Sequence, residues 1–186
     1  MTWVFFGLCL VAFAIRAYIR YVCFRRLVLE DYLMLFALGM HTVEAVLIQL
    51  YVVYVYDLEA YGKGDMSRIG PNFLSNTEKG IKAFGVSVNM SIIGLLIVKL
   101  NFLLFFKRLG SSIRRFAIVW WAVTIFTIGG AAAQIGMQQF GCMFGSADYM
   151  FSEHCGSDAA VKRTLINSIF SAVVDAFSDI LSEFLL

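Results

Sequence analysis

Five stretches of this chain are apolar around their whole circumference for about twenty residues each, and that property limits the possible folds more than any other. They run from Trp3 to Phe24, Tyr32 to Tyr56, about Ala83 to Phe106, Phe116 to about Gln139, and about Thr164 to Leu186. At about 1.5 Å of rise per residue, each is long enough as a helix to cross a hydrocarbon layer of about 30 Å. A helix of a soluble bundle would carry an apolar stripe against a charged face. A membrane barrel strand would alternate with period two, and none of these runs does. With 60% hydrophobic and only 15% charged residues, the chain has too little polar surface for an ordinary water-soluble domain. The expected fold is therefore all-α: one polytopic transmembrane bundle of five spans over residues 1–186. The first run lacks a basic start and a small-residue cleavage site and carries arginines toward its far end, so it reads as a span rather than a signal peptide.

The connections orient the bundle. Residues 107–115, "KRLGSSIRR", hold Lys107, Arg108, Arg114 and Arg115 and no acid, and Arg25 and Arg26 follow the first span. The positive-inside rule assigns both to the cytoplasm, yet the opposite connections 57–82 and 140–163 also carry lysine and arginine, so the count alone is even. Cys142 and Cys155 break the tie. Both lie in one connection, and in an oxidising exterior they would pair, a closure that takes on the order of 3 kcal/mol of chain entropy from the unfolded state. Two unpaired thiols, or two metal ligands with His154 as a third, are the other readings; a zinc site would want four ligands at closer spacing. Cys9 and Cys23 read as packing residues within a span.

With the N-terminus outside, several ionisable residues fall within the hydrocarbon. Arg20 is about 8 Å of helix from Arg25 and can snorkel to the headgroups, whereas Arg16 is deeper, at about 13 Å. Lys99 lies about 11 Å in from Lys107, and Asp179 and Asp175 about 10 and 16 Å from the end of the chain. A lone charge at such depth costs about 3 kcal/mol on insertion scales. An interior cluster of Arg16, Arg20, Lys99, Asp175 and Asp179 is the expected arrangement, with Arg16 or Lys99 paired to Asp175 or Asp179. It acts either as a structural lock on helix packing or as a protonation-linked switch of a receptor or transporter. His41 and Glu44, three apart on the second span, form a polar seam with Gln49 that is either a packing pair or a proton relay. Asn89, Asn101 and Asn167 bond across helices, and Gly129, Ala132, Ala133 and Gly136 mark a close helix contact, within the bundle or between protomers.

Soluble chemistry has no foothold. The sequence holds no phosphate loop, HExxH, GxSxG or CxxC, so neither an enzyme nor a metal or cofactor site is expected. No segment is a nucleic-acid surface. The basic loop faces anionic headgroups or a cytoplasmic signalling partner, and membrane lipid is the one assured partner.

The run Arg16, Tyr18, Arg20 followed by Glu30, Asp31, Tyr32 resembles the R-x-Y-x-R and D-D-Y motifs of the fungal rhodopsin-like domain family, seven-helix integral membrane proteins that include the Pth-type receptors. Tyr61, Gly62 and Gly64 resemble its Y-G-x-G. Lys99 with Phe105, Phe106 and Arg108 resembles its third-helix K-x-S-x-x-x-F-Y-x-R, and Cys142 with Cys155 its outer-loop cysteine pair. Asn167 with Asp175 or Asp179 resembles the N and D of its fifth helix. The departures are Glu30 for Asp, Asn101 for Ser and Phe106 for Tyr, the histidine that follows Y-G-x-G, absent at Asp65 and Met66, and the proline after the fifth helix. The resemblance implies the first five helices of a receptor-like protein, truncated or degenerate, in the plasma membrane rather than an internal one. It does not imply light sensing, because the Schiff-base lysine of retinal proteins lies on a seventh helix and Lys99 is on the third. A small-solute or proton transporter subunit and an intramembrane assembly protein are the alternatives.

Overall fold

The computed structural model describes residues 2–24, 29–64, 70, 73–110, 114–146, 149, 152, 155 and 157–183. Its helices are α1 (Thr2–Phe24), α2 (Leu29–Gly62), α3 (Phe73–Gly110), α4 (Arg114–Gly136), the short α5 (Phe140–Phe144) and α6 (Asp158–Glu183). Four of them contain segments long and apolar enough to cross a membrane: Leu29–Ala60, Phe73–Arg108, Phe116–Gly136 and Asp158–Ser182. The first expected span is also one continuous helix, α1, of 23 residues. The apolar stretch among its described residues, Phe6–Ile19, is shorter than the other four.

Helix continues past the hydrocarbon at both ends of the connection expected at 57–82, so α2 reaches Gly62 and α3 starts at Phe73. Polar residues do not end a helix when they pair along it. Lys63 Nζ lies 2.6 Å from Glu59 Oε1 and Lys82 Nζ 2.5 Å from Glu78 Oε1, each an i,i+4 pair that supports the helical turns beyond the apolar core. At the start of α6, Ser157 Oγ accepts the amide of Ala160 at 3.3 Å, an N-cap that starts the helix six residues ahead of the expected Thr164.

Burial is reversed relative to a soluble protein. Among the described residues, large apolar side chains such as Leu8, Val11, Leu50, Ile118, Ile125, Leu165, Ile169 and Val173 are exposed. The buried set is dominated by polar groups: Glu30, Asp31, Thr77, Ser87, Asn101, Thr124, Thr127, Gln134, Gln138 and Ser178. Apolar surface on that scale is stable only in lipid, while polar side chains turn inward to find partners. Several do so on their own helix: Thr124 and Thr127 each donate at 2.8 Å to the carbonyl four residues back, Trp120 and Val123.

α2 and α3 run together over much of their length, α4 packs on α3, and α6 packs on α4 with little approach to α3. At the end bearing Lys107, the buried cluster Leu103, Trp120 and Val123, flanked by Leu100, Leu104, Phe116 and Leu181, joins α3, α4 and α6. Trp120 Nε1 there donates to the Leu103 carbonyl at 2.6 Å. α4 and α6 meet most closely at Gly130, where a Cβ would come within 2.5 Å of Val174 Cγ1. The contact face of α4 is therefore displaced from the small residues singled out by spacing. Gly129 and Gly136 have open space where a Cβ would sit, and Ala131 and Gln134 are buried instead. Four small residues share more than one face, and only the packing partner selects which is used. At the other end of the bundle Cys142 and Cys155 form a disulfide, and Gln139 Nε2 donates to the Ala160 carbonyl at 3.1 Å.

Candidate functional site

Lys99 crosses the space between α3 and α6. Its Nζ lies 3.1 Å from Asp175 Oδ1 and 3.0 Å from Asp179 Oδ1. It also donates to Ser178 Oγ at 2.6 Å and to the Asp175 carbonyl at 3.1 Å. Asp175 and Asp179 are four residues apart and share a face of α6, so one ammonium meets both. The lysine side chain is 15% exposed and Ser178 is buried, whereas Asp175 and Asp179 are 35% and 65% exposed. Among the described residues, the cluster holds one cation against two carboxylates.

Arg16 does not join it. Its guanidinium lies 3.6 Å from Glu30 Oε2 and 4.0 Å from Asp31 Oδ1, and both acids are buried. Depth along a helix places Arg16 and Lys99 in one layer, but the short connection from α1 to α2 brings α2's acidic first turn back beside Arg16 first. Those acids also sit at the positive end of the α2 dipole. The side chain of Arg20 lies outside the described residues.

On α2, His41 Nδ1 and Glu44 Oε2 are 2.8 Å apart. The second carboxylate oxygen of Glu44 accepts a short hydrogen bond from Ser91 Oγ of α3, so the seam runs between helices as well as along one. At the basic end, Lys107 Nζ stands 4.4 Å from the Trp120 ring centroid and 5.4 Å from that of Trp121, within cation–π range. Arg108 is exposed at the end of α3; the side chains of Arg114 and Arg115, like residue His154, lie outside the described residues.

Between α3, α4 and α6 lies a cleft of about 450 Å³. Val88, Ile92 and Leu95 form its apolar wall on α3; Gln134 of α4, Gln138 just beyond that helix, and Asn167, Ser171 and Asp175 of α6 supply polar groups. Gln138 Oε1 and Asn167 Oδ1 are buried and have no hydrogen-bond partner. The cleft exists because α6 packs on α4 and stands off from α3, and the Lys99 side chain crosses the gap at one end.

Sequence reasoning passed over Ser178, Gln134, Gln138 and Ser91. The first had a readable signal. Asn167, Ser171, Asp175, Ser178 and Ser182 recur at helical spacing and draw a polar stripe down an otherwise apolar helix. The glutamines had none, because their role depends on how the end of α4 faces α6, and Ser91 had none, because its bond to Glu44 depends on which face of α3 looks toward α2.

A helical bundle with lipid-facing apolar surface, inward polar groups and an interior ion cluster is a multi-pass integral membrane protein. Within that class the chain belongs to the fungal rhodopsin domain family, whose model matches residues 15–185. No curated protein and no solved structure matches the chain.

Proposed function

We propose that the protein is a receptor-type member of its family that holds a chemical ligand in the α3–α4–α6 cleft, in the plasma membrane, without sensing light and without catalysing a reaction. The observation that supports this reading is the cleft itself. Its volume falls in the range of small-molecule sites, roughly 300–1,000 Å³, and it combines one apolar wall with a few convergent polar groups. The Lys99 cluster spans the same two helices, so a ligand entering between α3 and α6 changes the separation that the ion pairs hold, which is how an occupied site biases a helix arrangement. Lys99 already faces four oxygens and is a poor candidate for a Schiff base, which requires an unprotonated, accessible amine. The basic face at Lys107, Arg108, Arg114 and Arg115 would meet anionic headgroups or a cytoplasmic signalling partner.

The test is reconstitution of the full chain in liposomes. The reading expects no proton or solute flux above that of empty liposomes and no red-shifted absorption band after incubation with all-trans-retinal. Flux that vanishes in Glu44→Gln would favour transport along the His41–Glu44–Ser91 seam, and a retinal band abolished by Lys99→Arg would overturn the non-photosensory assignment. A fluorescent fusion confined to internal membranes would overturn the plasma-membrane assignment.

A further inference from the structure

Two features of the cleft are chemically lopsided. Gln138 and Asn167 each turn a carbonyl oxygen into the protein interior without a donor, and a buried acceptor left unmade costs about 1–3 kcal/mol. Gln138 is itself 9% exposed. At the other end, Asp175 and Asp179 share the ammonium of Lys99, which among the described residues leaves one formal negative charge in excess.

Register places these two ends. α4 and α6 run antiparallel and touch at Gly130 and Val174, and just past the end of α4 Gln139 Nε2 reaches the Ala160 carbonyl; Gln138 and Asn167 both line the cleft between these two contacts. Gln138 and Asn167 therefore both lie at one end of the cleft, and Asp175 lies about 12 Å along α6 from Asn167. Between them stand Val88, Ile92 and Leu95 of α3 and Ala172 of α6. Acceptors at one end, an under-neutralised carboxylate at the other and an apolar strip between describe a complement of defined shape.

We propose, resting on the ligand-binding reading above, that the cleft binds a linear aliphatic diammonium ligand. With the amide side chains of Gln138 and Asn167 turned from the interior into the cleft, one ammonium donates to their oxygens, the methylene chain lies along Val88, Ile92 and Leu95, and the second ammonium meets Asp175. Subtracting a hydrogen bond of about 2.9 Å at each end from the span of about 12 Å leaves about 6 Å between the nitrogens, a chain of roughly four or five methylenes. The second ammonium brings the charge of the lower cluster to balance without displacing Lys99.

The experiment uses the full chain in nanodiscs, in phosphate rather than an amine buffer, titrated with 1,5-diaminopentane, pentylamine or 1,5-pentanediol and followed by calorimetry. The diamine is expected to bind at least ten-fold more tightly than either of the others. Gln138→Leu and Asn167→Leu remove acceptors that have no partner in the free protein, so they should leave its melting temperature unchanged or raise it. Each is expected to weaken the diamine to the level of pentylamine. Equal binding of diamine and pentylamine overturns the two-ended fit, and undiminished diamine affinity in both leucine variants overturns the assigned contacts. Equal binding of the diol overturns the ammonium class, and binding of none of the three overturns the diammonium proposal; both outcomes leave the ligand-site reading standing.

Discussion

Replacing Lys99 with methionine keeps an unbranched side chain, one heavy atom shorter, and removes its charge, which makes it the sharpest probe of the contact between α3 and α6. The substitution leaves Asp175 and Asp179 without a counter-ion and Ser178 Oγ without a donor at 2.6 Å. Removing one partner of a buried ion pair costs about 3–5 kcal/mol. Asp179 is 65% and Asp175 35% exposed, so water and headgroups at that end compensate part of the loss, and about 2–4 kcal/mol is the expected destabilisation. The triple variant Lys99→Met, Asp175→Asn, Asp179→Asn has no charge left to strand and should recover at least half of that. Unfolding free energies in bicelles for the wild type, Lys99→Met, the double Asp→Asn variant and the triple variant form a cycle. If the triple variant's loss equals the sum of the other two within about 0.5 kcal/mol, the groups are not coupled and the lock does not exist.

Three further outcomes are expected. Gly130→Ala should destabilise the bundle by about 1–3 kcal/mol, because the new methyl meets the stiff Val174 side chain on α6, whereas Gly129→Ala, with nothing within 4 Å, should not; equal melting temperatures for the two would remove the close contact. Cys142→Ser should cost about 3 kcal/mol, and the wild-type chain should resist alkylation at both positions until reduced. Asn101 is 1% exposed with both amide ends unpartnered, so Asn101→Ser, whose hydroxyl can bond back to its own helix, should stabilise by about 1 kcal/mol in thermal melts; a loss would show that the amide has a partner.

The candidate site was legible in pieces. Lys99, Asp175 and Asp179 could be found because charges are rare in apolar runs and helical rise gives each a depth. Depth has no azimuth, however, so Arg16 occupied the same layer on paper and met Glu30 and Asp31 in the fold. The polar stripe on α6 was visible at helical spacing, but nothing in the sequence shows that it borders a cleft. Helix ends were less legible than helix cores, since Glu78 with Lys82 and Glu59 with Lys63 read as loop charges until they pair along a helix.

The sequence by itself determined that lipid is the solvent, because in hydrocarbon the backbone must satisfy its own hydrogen bonds and runs of this length and apolarity do so as helices. It also determined which residues would be costly to leave alone there. Tertiary structure decided who meets whom: that α6 rests on α4 through Gly130 rather than on α3, that a lysine side chain spans the resulting gap, and that Gln138 and Asn167, each with a buried amide oxygen lacking a partner, line it. Those outcomes follow from the rotation and close packing of whole helices against one another, which sequence spacing along a single helix does not encode.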